Sequence, residues 1–248
     1  MTERNQSSVI AFRHVGDVGS PVSGPFVMLV PGAEVPLLSL DLPPGLRGPA
    51  REKVARLQIC DKIGLPTGQL DIRPYLAAGS KDSWRSILLA NKSRLIEWRG
   101  NALAKSAGCL AMIPDYLALP AAPDIWTIQT QGDHVLARMG VDDGFAAEAG
   151  LAMVQLQSAA AHDAPKAVLR LGSELPALDA MLAGLNLPVV TDDAGLKRLG
   201  LSMPTPLEYG EARYDLRHNP EEAIDRLRGQ LRGWVLPLVL ALVAMAVR

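Results

Sequence analysis

Phe26-Val27-Met28-Leu29-Val30-Pro31-Gly32 is the stretch that decides the fold. Five apolar residues in a row, with no polar alternation, leave no face for water. Such a run predicts a strand buried on both sides, as in the mixed or parallel sheets of α/β proteins. Pro31-Gly32 then turns the chain. A second run, Cys109-Leu110-Ala111-Met112-Ile113, reads the same way and is stopped by Pro114.

Outward from these two runs, short elements follow one another between Gly and Pro punctuation. Residues 9–12, 37–42, 70–76, 86–90, 167–171 and 188–191 read as strands. Residues 125–130 and 134–139 flank Gly132-Asp133, a strong hairpin signal. Helices are expected over 47–63 and over 93–105, the latter capped by Ser93. Three more are expected over 144–160, which is Ala-rich, over 175–185 and over 193–199. Strands and helices alternate without a strict βαβ rhythm, and no fixed-period repeat occurs. The reading is α/β or α+β with mixed sheets, in several subdomains.

Composition narrows the function classes. The chain has 248 residues, with 25 Lys+Arg against 26 Asp+Glu and a formal net charge of −1. A 48% hydrophobic content supplies an ample core. That balance argues against a nucleic-acid binder, which normally carries a basic surplus. Cys60 and Cys109 form no C-x-x-C pair and are expected to act as small buried hydrophobes.

The residues from 211 onward depart from this pattern. Residues 211–232 form a charged connector. Asn219 can cap a helix starting at Pro220, with Glu221 and Glu222 at its positive end. Ile224, Leu227 and Leu231 give that helix an apolar face, and they are candidates for self-association or for packing on a partner. Residues 233–247 carry no charge at all. They begin with Trp234, where aromatic belts sit, and Arg226, Arg228 and Arg232 precede them. Leu236, Leu238, Leu240 and Leu242 would face lipid. A helix of this length rises only about 22 Å, against a hydrocarbon core of about 30 Å. Either the span is truncated or it inserts with help from its flanks, and a buried core helix is the remaining alternative. The positive-inside rule then places residues 1–232 in the cytoplasm. Residues 1–8 are polar and give no signal peptide. The domain division expected is therefore 1–210, 211–232 and 233–248.

Chemical motifs return mostly negatives. Gly100 to Ser106 lacks the second glycine of a phosphate loop. No G-x-G-x-x-G follows a strand, and no G-x-S-x-G elbow occurs. His14, His134, His162 and His218 are scattered singly, without metal-ligand spacing. Two Asp-Gly loops remain. Asp17-Val18-Gly19-Ser20 fits the D-x-G-[ST] phosphate loop that actin-like and sugar-kinase-like ATPases carry between two early strands. A second loop, Asp142-Asp143-Gly144, is expected to precede a helix. Ordinary turns explain both, so Asp17 and Gly19 are kept only as an alternative nucleotide site.

The order of features resembles the L component of the type II secretion system, the GspL-like inner-membrane platform proteins. The residues that carry the resemblance are Phe26 to Gly32, then Leu40-Asp41-Leu42-Pro43-Pro44. They continue with Ile113-Pro114-Asp115-Tyr116-Leu117-Ala118-Leu119-Pro120, Ile125-Trp126, the strand from Val135 to Arg138, and Tyr214-Asp215-Leu216-Arg217. The likeness covers most of residues 8–245. Two departures stand out. Leu57-Gln58-Ile59-Cys60-Asp61-Lys62 is less acidic than the family's corresponding helix, and the residues in hand stop at Arg248, short of the family's periplasmic ferredoxin-like domain, as expected of a truncated member or a fragment.

What the resemblance implies is an actin-like (RNase H-like) cytoplasmic body without ATPase activity, followed by one transmembrane helix in the bacterial inner membrane. Its expected partners are the secretion ATPase GspE, GspM, GspF and a second copy of the chain. No cofactor and no metal are expected. The rival reading is an ATP-binding actin-like membrane protein of the pilus-assembly or division type.

Overall fold

The computed structural model describes residues 11–17, 24–64, 66–75, 84, 86–141, 143–205 and 215–217. In the first half the strands are β1 (Ala11–His14), β2 (Phe26–Val30), β3 (Leu37–Ser39), β4 (Leu70–Tyr75), β5 (Ser86–Asn91) and β6 (Cys109–Pro114). The helices there are α1 (Gly48–Ile63), α2 (Lys92–Gly100) and α3 (Ala102–Lys105). In the second half the strands are β7 (Ile125–Gln131), β8 (His134–Met139), β9 (Asp143–Glu148), β10 (Ala167–Gly172) and β11 (Val189–Val190). Its helices are α4 (Ala149–His162), α5 (Pro176–Gly184) and α6 (Asp193–Arg198).

Three sheets organise these elements: β1-β2-β6, the small antiparallel β3-β5-β4, and the five-stranded β11-β10-β7-β8-β9. All five residues of β2 are buried. That strand runs parallel to both β1 and β6 at the centre of its sheet, as its unbroken apolar run requires. In the five-stranded sheet, β7, β8 and β9 are antiparallel neighbours, while β10 and β11 add on in parallel. The chain is thus an α/β protein with mixed sheets.

Side-chain alternation assigns the two faces of the large sheet. Trp126, Ile128, Val135 and Ala137 pack against Ala152 and Leu156 of α4 and Leu178 and Leu182 of α5. Ile125 and Leu169, on the opposite face, pack with Leu196 of α6. Leu136 lies on that opposite face too, but it joins the first half's core, with Tyr116, Leu117, Met28 and Ile113. The two halves therefore share one apolar junction.

Several expectations need correction. The helix expected over 144–160 begins only at Ala149, because residues 143–148 are strand β9. Pairing with β8 overrides the helix preference of Ala146 and Ala147. Asp143 and Gly144 are accordingly the first two residues of a strand, and Asp142 lies outside the described residues. The helix expected over 93–105 is broken at Asn101, whose side chain accepts from Leu103 N (2.9 Å) to start α3. The cap of α2 is Asn91 rather than Ser93, accepting from Ser93 N at 2.9 Å. The strand expected over 37–42 stops at Ser39. The first strand is shifted to Ala11–His14, and residues 9 and 10 lie outside the described residues.

Candidate functional site

Edge strands expose unpaired backbone groups that must be covered. β6 is an edge of its sheet, and β4 is an edge of the small sheet. One short segment, Asp215-Leu216-Arg217, pairs with the edge of β6 and is held from β4 by the side chain of Arg73.

Leu216 N donates to Met112 O (2.8 Å), and Met112 N donates to Asp215 Oδ1 (3.0 Å). Met112 of β6 thus has both backbone groups satisfied by this strap. Leu216 is buried in the first half's core, beside Cys109 and Met112. Arg217 folds back on Asp215, donating from Nη2 to Oδ2 (2.6 Å) and from Nε to Oδ2 (2.8 Å). The same guanidinium donates to the backbone oxygens of Cys109 and Leu110. The hydrogen bonds to Asp215 hold the Arg217 guanidinium protonated more firmly than usual.

On the β4 side, Arg73 is buried and donates from Nη1 to Asp215 O (2.8 Å). Its Nε and Nη2 form a forked pair with Asp71 at 2.8 and 3.0 Å. Arg99 of α2 donates to Leu216 O (2.8 Å) and lies 3.5 Å from Asp71. Burial is also the main influence on the Cys109 thiol and pushes it upward. The Cys109 sulfur is thus held as a neutral thiol, which matches the expectation of a small buried hydrophobe.

The quoted turns meet at the junction of the halves. Asp115 Oδ1 accepts from Gly32 N (3.0 Å) and from Tyr116 N (2.7 Å). Desolvation raises the Asp115 carboxyl above its ordinary range. Tyr116 is wholly buried and donates its hydroxyl to Val35 O (2.8 Å). A methyl group on Gly32 would run into Asp115, Tyr116 and, at 2.9 Å, Ala146, so the close approach of the two turns requires glycine there. Nearby, Tyr75 donates to Val141 O (3.1 Å), and Arg138 Nη2 donates to Tyr75 Oη (3.2 Å) and Val141 O (3.0 Å).

Of the residues singled out from sequence, Asp17 lies just after β1. Its carboxylate accepts from His14 N (2.9 Å), and its own N–H donates to His14 O (3.0 Å). This is a local turn, and β1 and β2 on either side of it run parallel. Asp143 accepts from Gly144 N (2.7 Å) at the start of β9. His14 is half-buried, while His134 and His162 are exposed at element ends. Cys60 is half-buried and Cys109 buried. Among the described residues no cluster of His, Cys, Asp or Glu could hold a metal ion. Gly19, Asp142, His218, Ile224, Leu227, Leu231, Trp234, Leu236, Leu238, Leu240 and Leu242 lie outside the described residues. No described helix is long and apolar enough to cross a membrane, and residues 233–247 lie outside the described residues.

Sequence reading missed Asp71, Arg73 and Arg99 as strap anchors. A signal was present: Asp71 and Arg73 alternate with Leu70, Ile72 and Pro74 in a strand that is otherwise apolar.

The architecture is α/β, built from one parallel, one antiparallel and one mixed sheet with a shared junction. Among solved structures it is similar to a Bacteroides thetaiotaomicron protein with an actin-like ATPase fold and unknown function. That match has 8% identity, 72% coverage of this chain, 74% of that one and a TM-score of 0.35. It is also similar to the cytoplasmic domain of EpsL, an inner-membrane component of the type II secretion system of Vibrio cholerae. Here identity is 16%, coverage 65% of this chain and 73% of that one, and the TM-score 0.47. Compared with protein-family models and with curated proteins, the chain matches none.

Proposed function

We propose that this protein is a non-enzymatic platform component of a type II secretion system, of the GspL kind. Its N-terminal body lies in the cytoplasm and holds the secretion ATPase GspE at the inner membrane. Its C-terminal part crosses that membrane once and links the ATPase to GspM, with GspF and a second copy as further contacts.

The observation that carries this reading is the strap. Asp215-Leu216-Arg217 is bound into the body by backbone pairing, a buried leucine and charged hydrogen bonds. The strap lies near the start of the charged connector 211–232, and the rest of the connector and the uncharged run 233–247 follow it in the sequence. A scaffold needs this arrangement: a rigid body, an anchor, and a fixed attachment that carries position from one to the other. The order β9-β8-β7-β10-β11, with β7 central and the last two strands parallel, supports the RNase H-like half of an actin-like body.

Co-elution of the full chain, solubilised in mild detergent, with the secretion ATPase from the same genome tests the proposal. A stable complex at micromolar concentration is expected. Two folded proteins that elute separately would refute it, and magnesium-dependent ATP binding lost in Asp17→Ala would favour the nucleotide-binding alternative instead.

A further inference from the structure

Among the described residues, the buried side-chain polar atoms without a hydrogen-bond partner are Thr127 Oγ1, Arg138 Nε and Arg138 Nη1. They are not scattered. Thr127 of β7 and Arg138 of β8 are direct cross-strand partners in an antiparallel pair, so their side chains stand side by side on one sheet face. Thr127 is wholly buried, and Arg138 is 1% exposed. The remaining guanidinium nitrogen, Nη2, reaches only the Tyr75 hydroxyl and Val141 O. The Tyr75 ring lies 6.0 Å from the guanidinium carbon. No carboxylate forms an ion pair with Arg138 among the described residues. The nearby acids are engaged elsewhere: Asp115 on Gly32 N and Tyr116 N, and Asp143 on Gly144 N.

A buried arginine without a counter-charge is costly, because desolvating the ion loses several kcal/mol that only a paired anion restores. Nε and Nη1 together present three unused N–H donors, and the Thr127 hydroxyl beside them adds one more polar contact. An acceptor-rich, negatively charged group small enough to span two adjacent strands satisfies all of them. We infer that Thr127 and Arg138 form a binding site for a small oxyanion, phosphate-like or carboxylate, between the two halves of the body. The site is separate from the Asp17 turn and from the strap, and it does not depend on the secretion reading. Tyr75 belongs to the first half and Val141 to the second, so an oxyanion on Arg138 competes with the Tyr75–Val141–Arg138 contacts that close the junction. Occupancy would therefore change how the halves meet.

The test is thermal unfolding of the full chain titrated with inorganic phosphate or with acetate, each against sodium chloride at matched ionic strength. Wild type should show a saturable rise in Tm with one of the two anions, which identifies the chemistry. Arg138→Met should abolish the saturable part, leaving only the non-specific rise that excluded salts give any protein. Thr127→Val, close in shape but without the hydroxyl, should raise the half-saturating concentration at least threefold. If Arg138→Met does not fold, Thr127→Val and wild type decide between them. No saturable response in wild type, or an equal response in wild type and the variants, would overturn the site.

Discussion

Replacing Leu216 by Ala tests whether the strap is part of the folded body or merely lies on it. Leu216 is 1% exposed and sits in the core that contains Met28, Met112 and Ile113. Truncation removes three carbons. At about 0.8 kcal/mol per buried carbon the transfer loss is about 2.4 kcal/mol, and the cavity left behind brings the range for such changes to about 2–5 kcal/mol. A cost of about 3 kcal/mol, with a urea dependence of about 2 kcal/mol per molar, lowers the midpoint by roughly 1.5 M. Leu110→Ala is the control. Leu110 is on β6, the strand that the strap lies against, but is 42% exposed, and its loss should change stability by no more than about 0.5 kcal/mol.

The assay is urea unfolding of the full chain followed by tryptophan fluorescence, with hydrogen exchange at the Met112 amide as a local readout. If the strap belongs to the cooperative unit, Leu216→Ala shifts the midpoint strongly and leaves the slope unchanged. Met112 N–H, bonded to Asp215, then exchanges faster in step with the global loss. A Leu216→Ala midpoint no lower than that of Leu110→Ala would refute the reasoning. The strap would then open before the body unfolds, and its polar contacts could not carry position to the rest of the connector.

Three further outcomes follow from the same geometry. Arg73→Met leaves Asp71 buried without its forked partner and should cost about 3–5 kcal/mol, measured by the same urea assay. Gly32→Ala forces a methyl group into Asp115 and Tyr116 and should destabilise by about 1–3 kcal/mol, visible as a lowered Tm. Asp115 gives a pH test with a definite sign. Its carboxyl is raised by burial in the folded state, so the folded chain holds this proton more tightly than the unfolded chain. Its contribution is fully present below the unfolded value and is lost as pH rises through the raised folded one. Asp115→Asn keeps an acceptor for Gly32 N and Tyr116 N without the charge. It should flatten that slope and be more stable than wild type above the window, as unfolding between pH 3.5 and 7 would show.

The parts of the fold legible in the sequence were those fixed by local chemistry. The five apolar residues of β2 and the Gly132-Asp133 turn between β7 and β8 specify burial and pairing without reference to the rest of the chain. What was not legible depends on partners distant in sequence. Ala146 and Ala147 prefer helix, and only the neighbouring β8 makes them strand. Asn101 reads as one more residue in a helix until Val15 O takes its side-chain amide at 3.0 Å. Arg138 looks like the polar residue of an alternating strand, and its burial arises only when the first half covers that face. The strap was quoted as a motif, but its anchors Asp71, Arg73 and Arg99 lie more than a hundred residues away from it.

That separation explains why polar groups, rather than more leucine, fasten the strap. An apolar segment of three residues could slide along an edge strand with little penalty, because hydrophobic contact is not directional. Here Asp215 must meet Met112 N, and Arg217 must meet Asp215 and the carbonyls of Cys109 and Leu110. A slip of one residue along β6 would bring a charged side chain into the pocket of Leu216, and the bonds to Met112, Cys109 and Leu110 would be lost. The register is therefore held by charge and hydrogen bonding, while the leucine supplies the burial. Since the rest of the connector follows Arg217 in the sequence, a fixed register at 215–217 fixes the point on the body from which the rest of the chain departs.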